Sequence, residues 1–284
     1  MTRVVDLLDA GRTFSFEFFP PKTDAEQATL ESALAELEPL NPSFVSVTYR
    51  GGRSSRERTT NLVANLERAT SLTPMAHLIC VAHTRAELVD ILNDFKAAGI
   101  ENLLALGGDP PTDEGAESGE LVYAEQLVDL AREIGGFSIG VAAHPEIHPR
   151  SPDRAADRER LAAKLAKADF AITQLFFRPD DYATMVEELR ALGVTKPIIA
   201  GVMPITNLNN IKRMAELSGA AVPPEIVARV TAVGDDPAGV RAVGVEIATE
   251  FCQALLDLGA PGLQFYTLNR SSATREIYRN LGLG

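Results

Sequence analysis

Two carboxylates stand where chemistry can begin. In TFSFEFF the alternation of a strand puts Phe14, Phe16 and Phe18 on one face and Ser15 and Glu17 on the other. If the three rings meet a layer of helices, Glu17 points into the protein. An ionised carboxylate there costs on the order of several kcal/mol without a partner, so Glu17 is expected to hold its proton to higher pH than a free Glu and to suit general acid work. The same parity fits a structural Glu17 paired with a buried Arg or Lys, and the pattern leaves both readings open. The second carboxylate is Asp109 in LLALGGDPP, where an apolar run stops at Gly107 and Gly108.

Other polar residues close or interrupt apolar runs in the same way: Thr48 after SFVSV, His77 in PMAHLICV, Gln174 in FAITQLFF, and Tyr266, Asn269 and Arg270 in GLQFYTLNR. Each alone reads as a satisfied core polar group, and their shared location is the stronger signal. His144 and His148 in AAHPEIHP have an i, i+4 spacing that binds zinc only on a helix. Pro145 and Pro149 deny that helix, so no metal site is expected.

The elements that must position these residues follow from eight short β-prone runs, TFSFEFF, SFVSVTY, PMAHLICV, NLLALGG, FSIGVAAH, FAITQLFF, PIIAGVMP and GLQFYTLN. Segments of helical period such as RAELVDILNDFKAAG separate them, several ending in Gly at a helix C-cap. This alternation, without a linker to divide it, predicts an α/β fold, a single (β/α)8 TIM barrel over residues 1–284. A doubly wound sheet is the alternative. The long interval between strands seven and eight predicts two or three extra helices. In such a barrel the strand C-termini form the active mouth.

Composition narrows the partners. With 284 residues, 45% of them apolar, the chain can bury a large core. A net charge of -12 and a pI near 4.9 predict no nucleic-acid or membrane partner, and require local cations for any anionic ligand. The first residues lack a signal-peptide core and no apolar run approaches the ~20 residues of a membrane span, so the cytoplasm is the expected location. Cys80 and Cys252 lie in apolar segments and are expected as buried free thiols. No GxGxxG follows a strand, so a dinucleotide would not be bound in Rossmann fashion.

FSFEFFPPKT, FVSVTYRGG, AHLICV, LALGGDPP, AAHPEIHP, AITQLFF, GVMPIT and FYTLNR, in this order, resemble the methylenetetrahydrofolate reductase family over nearly the whole chain. The resemblance implies reduction of 5,10-methylenetetrahydrofolate to 5-methyltetrahydrofolate by NADH or NADPH, usually through bound FAD. It makes Glu17 the general acid and Asp109 the aspartate that faces the folate, beside Gln174, Tyr266 and Arg270 as folate-side residues. The bare Gly107 and Gly108 would leave room for flat rings. Thr48, His77, Tyr123, His148, Lys164 and Gln174 match positions that can meet a cofactor. At two further cofactor positions the chain departs, with Gly107 for an arginine and His144 for a tyrosine, and Ala166-Lys167-Ala168 replaces an Ala-Gly-Ala. These departures favour hydride transfer directly from NADH, without FAD. The same reaction through FAD and a non-catalytic folate-binding barrel are the alternatives; oligomeric state is not specified.

Overall fold

A computed structural model describes residues 2–49, 53–81, 83–108, 119–234 and 236–283. Eight parallel strands, β1 (Thr13–Phe18), β2 (Phe44–Val47), β3 (Pro74–Ile79), β4 (Asn102–Leu106), β5 (Ser138–Ala143), β6 (Phe170–Thr173), β7 (Ile198–Val202) and β8 (Gly262–Tyr266), close into a barrel in sequence order. Helix α1 (Val4–Ala10) precedes β1. Helices α2 (Asp24–Leu37), α3 (Arg53–Ala69), α4 (Arg85–Ala97), α5 (Ala124–Ile134), α6 (Arg154–Lys167) and α7 (Pro179–Ala191) follow the first six loops. Between β7 and β8 run α8 (Leu208–Ser218), α9 (Pro224–Thr231) and α10 (Pro237–Asp257), and α11 (Ser272–Asn280) closes the ring. The (β/α)8 barrel expected from the pattern is therefore present, with three helices in the long interval.

The local starts have local causes. Thr84 and Glu87 form a reciprocal capping box on α4, and the Asp236 side chain accepts from the Ala238 and Gly239 amides ahead of a proline-initiated α10. The Phe face of β1 meets the helix layer as its parity required: Phe16 packs on Phe265 and on Tyr278 of α11, with ring centroids 6.2 and 5.2 Å apart. Strand β6 is shorter than its apolar run. Leu175 and Phe177 are drawn into a satellite core with Met203, Ile205 and Ile211, and Phe176 packs on Phe251 of α10, so the chain leaves the sheet at Thr173 and Gln174 sits on the rim.

Inside the barrel the layers change character from floor to mouth. Phe44, Met75, Leu104, Phe170, Ile172 and Ile199 fill the floor, and α1 plugs it from below with the fully buried Val4. The Val4 amide donates to Asn102 Oδ1 at 2.8 Å and the Val5 amide to Ser138 Oγ at 3.1 Å, which satisfies two of the helix's free N-terminal donors. Among the described residues no helix is long and apolar enough to cross a membrane, and Cys80 and Cys252 are buried free thiols.

Candidate active site

Above that apolar floor lies a polar layer from adjacent strands. Ser15 Oγ donates to Gln264 Oε1 at 2.7 Å, and Gln264 Nε2 donates to Ser46 Oγ at 2.8 Å. Glu17 stands one step nearer the mouth, in register with Ser46 of β2 and Tyr266 of β8. Its Oε2 is 3.5 Å from Gln264 Nε2 and 3.7 Å from His77 Nε2, with side chains of Glu17 and His77 only 12% and 6% exposed. Among the described residues no Lys or Arg comes within ion-pair distance of Glu17, so the structural pairing left open by parity is not made. Burial pushes the Glu17 carboxyl up to about 8, against a small opposing effect of the Gln264 hydrogen bond. Burial holds the His77 imidazole down to about 3, so it is neutral in neutral water and gives Glu17 no counter-charge.

The rim beyond β8 fixes this acid in place. Thr267 Oγ1 donates to the Glu17 carbonyl at 2.6 Å, and the Asn269 amide brackets Phe19, accepting from its N–H at 2.8 Å and donating to its C=O at 2.9 Å. The Tyr266 phenol donates to the Thr173 carbonyl of β6, and burial holds it protonated, far above the usual range for tyrosine. Gly201 of β7 makes room for it: a methyl there would overlap both the Tyr266 hydroxyl and the Thr173 carbonyl. Gln174 is exposed on the rim, its N–H bound to the Ala143 carbonyl at 2.7 Å, and Arg270 is exposed after β8.

On the other side of the mouth, β4 ends in Gly107 and Gly108. Gly108 has φ +87° and lies against Val81 and Ile79, a conformation and a space that both exclude a side chain. The loop after β5 is shaped from α6. The buried Arg158 pairs with Asp157 (2.6 Å) and Glu188 (2.7 Å) and donates to the carbonyls of His144, Pro145 and Glu146. The His144 and His148 rings meet edge-on, centroids 4.4 Å apart, and burial followed by the nearby cations holds His144 down to about 3. Lys164, lowered by burial to about 8, donates to the Ala142 carbonyl at 2.7 Å. Tyr123, at the start of α5, is 69% exposed. Two buried donors or acceptors at the mouth, Thr48 Oγ1 and His77 Nε2, have no hydrogen-bond partner among the described residues.

The structure thus gathers Glu17, His77 and Tyr266 around the inner mouth, sets Thr48 and Gln174 at strand exits, and sets Gly107, His144 and His148 on the opposite rim. Asp109 lies outside the described residues. Lys167 belongs elsewhere: it ends α6 at the floor, where its carbonyl accepts from Arg132 near the end of α5 (2.8 Å), and its ammonium reaches back along α5 to Asp129 (2.9 Å) and Glu125 (2.7 Å). The backbone of that segment therefore lies away from the mouth. Gln264, Thr267 and Arg158 were not singled out by sequence. Gln264 shares the parity of Tyr266 and was legible on that ground; Arg158, in a charged helix, carries no such signal. Among the described residues no group of three His, Cys, Asp or Glu could hold a metal.

The family model described as methylenetetrahydrofolate reductase matches residues 3–282. The chain is 35% identical over 270 residues to the 5,10-methylenetetrahydrofolate reductases of Pectobacterium carotovorum subsp. carotovorum and Escherichia coli (strain K12), covering 95% of this chain and 90% of each relative. It is 35% identical over 289 residues to a probable methylenetetrahydrofolate reductase (NADH) of Oryza sativa subsp. japonica, 96% of this chain and 49% of that one. A solved structure, an uncharacterized protein from Clostridium thermocellum that binds two copies of 5-methyl-5,6,7,8-tetrahydrofolic acid, shares the fold at a TM-score of 0.70 and 12% identity, over 98% and 97% of the two chains.

Proposed function

The chain belongs to the methylenetetrahydrofolate reductase family, and from that premise we propose that it reduces 5,10-methylenetetrahydrofolate with hydride taken directly from NADH, with no flavin relay. The observation that carries the reaction is Glu17, a carboxyl kept protonated near neutral pH at the inner mouth of the barrel. Its proton goes to N10 of the folate, the bond from N10 to the methylene carbon breaks, and an iminium forms at N5. Hydride from C4 of the nicotinamide then reduces that carbon to a methyl group, NADH becomes NAD+, and Glu17 regains a proton from water. General acid assistance of this kind is typically worth ~10²–10⁴-fold. The aspartate carried by Asp109 is proposed to stabilise the iminium electrostatically, with Gln174, Tyr266 and Arg270 on the folate.

The family's usual FAD fits these residues poorly. The unpartnered Thr48 Oγ1 and His77 Nε2 suit the edge of a flat polar ring, which a nicotinamide carboxamide also offers. Beside them, however, Gly107 supplies no cation, His144 is uncharged and the Lys164 ammonium is engaged with a backbone carbonyl. A rim without a side chain at Gly107, open to a diffusible dinucleotide together with folate, agrees better with direct transfer, in which donor and acceptor carbons must approach to about 3–3.5 Å in one complex. The test is the spectrum and kinetics of the purified protein. The expected outcome is a colourless protein, activity without added FAD and intersecting double-reciprocal lines. Stoichiometric FAD released on denaturation, or parallel lines, would return the enzyme to the flavin route.

A further inference from the structure

We infer that Arg150 binds the diphosphate of the dinucleotide on the rim opposite the acid; the inference rests on the hydride donor proposed above. Arg150 lies in the loop that Arg158 and Asp157 shape between β5 and α6, and its own N–H donates to His148 Nδ1 at 3.0 Å. Its side chain crosses to β4, where Nη2 donates to the Gly108 carbonyl at 3.2 Å. A Cβ on Gly107 would lie 4.0 Å from that Nη2, so the absent side chain leaves the approach to the guanidinium open. Arg150 is exposed, and among the described residues no carboxylate comes within ion-pair distance of it. Arg85, Arg132, Arg154, Arg229, Arg241 and Arg275 have acidic partners, whereas Arg150, like Arg12, binds only a backbone carbonyl through its side chain among the described residues.

One N–H of the fork fixes the guanidinium to the backbone, and the others have no partner among the described residues, in the planar geometry that suits phosphate oxygens. Two anions of the reaction could meet it, the diphosphate and the glutamate tail of the folate. Strand order separates them. In the closed barrel β4 and β5 lie across from β8 and β1, so Arg150 stands opposite Glu17 and Arg270. A folate seated against Glu17 has Arg270 on its own side, whereas a dinucleotide with its nicotinamide at the centre extends toward Arg150.

The test compares NADH with 1-benzyl-1,4-dihydronicotinamide, a hydride donor with the same ring and no phosphate. Arg150→Gln should lower the ratio of kcat/KM for NADH to that for the phosphate-free donor by about tenfold or more, the scale of a lost charge-assisted contact. Because both donors are measured on one preparation, any misfolded fraction cancels. Arg150→Lys should recover part of the ratio. An unchanged ratio, a rise in the KM for folate instead, or loss of bound flavin with an unaltered response to NADH would each overturn the assignment. Titration of NADH fluorescence needs no turnover: a Kd at least about tenfold weaker in Arg150→Gln supports the inference and an equal Kd sinks it. Wild-type protein that binds NADH but forms no 5-methyltetrahydrofolate would defeat the reaction while leaving that Kd comparison to decide Arg150.

Discussion

At the scale of single residues, Glu17 combines a position and a proton affinity that each explain the other. The apolar floor and the neutral His77 withhold the counter-charge that would let it ionise, which is why burial lifts its carboxyl to about 8. Glu17→Gln keeps the size and removes the proton, so kcat should fall by at least ~10²-fold while folate binding survives; single-turnover rates and equilibrium binding measure the two separately. The wild-type kcat/KM should decline as pH rises through about 8, where the acid is lost, and that limb should vanish from the residual activity of the variant. Stability carries the same signature. The folded carboxyl titrates above its ordinary value of 4.5, so folding loses stability as pH rises from there through about 8. His77 runs the other way, because its folded value lies below 6.5 and stability is lost as pH falls from 6.5 toward about 3. The melting temperature of Glu17→Gln should therefore gain on wild type between about pH 5 and pH 9; a constant difference would mean that Glu17 is ionised in the folded protein throughout.

At the scale of elements, the turn after β8 acts as a clamp on the end of β1. Leu268 and Asn269 have φ of 52° and 57°, in the left-handed region where a branched apolar residue is strained. The two bonds from Asn269 to Phe19 and the bond from Thr267 to the Glu17 carbonyl hold that turn down. Asn269→Ala should cost about 2–3 kcal/mol in thermal or denaturant unfolding, since it removes both of Asn269's bonds to the Phe19 backbone and a residue that tolerates the left-handed region. It should also lower kcat more than it weakens folate binding, because it loosens the strand end that carries the acid. Asn269→Asp, which keeps the acceptor and loses the donor, should fall between. Equal kcat in all three proteins would show that the strand end is held by the sheet alone.

At the scale of the whole molecule, stability and chemistry occupy opposite ends of the barrel. Deleting residues 2–10 would uncover the floor, expose the apolar surface that Val4 covers and leave Asn102 and Ser138 without their amide partners. The expected loss is about 3 kcal/mol or more of unfolding free energy, read by denaturation, with little change in the KM for either substrate in protein that remains folded; a large change in KM would couple the floor to the mouth. The eight strands, the extra helices after β7 and the inward face of β1 were legible in the sequence because the periods of strand and helix are local and the apolar pattern follows them directly. The same parity made Glu17 a candidate and would have added Gln264. What the sequence left open were facts of distance between segments far apart in the chain. Whether Glu17 meets a cation or a neutral His77 and which carbonyl the Arg150 side chain reaches are decided only when β1, β3, β4 and the loop before α6 are brought together. Those contacts depend on barrel closure, because closure alone fixes which strand ends share the mouth and which side chains face one another there.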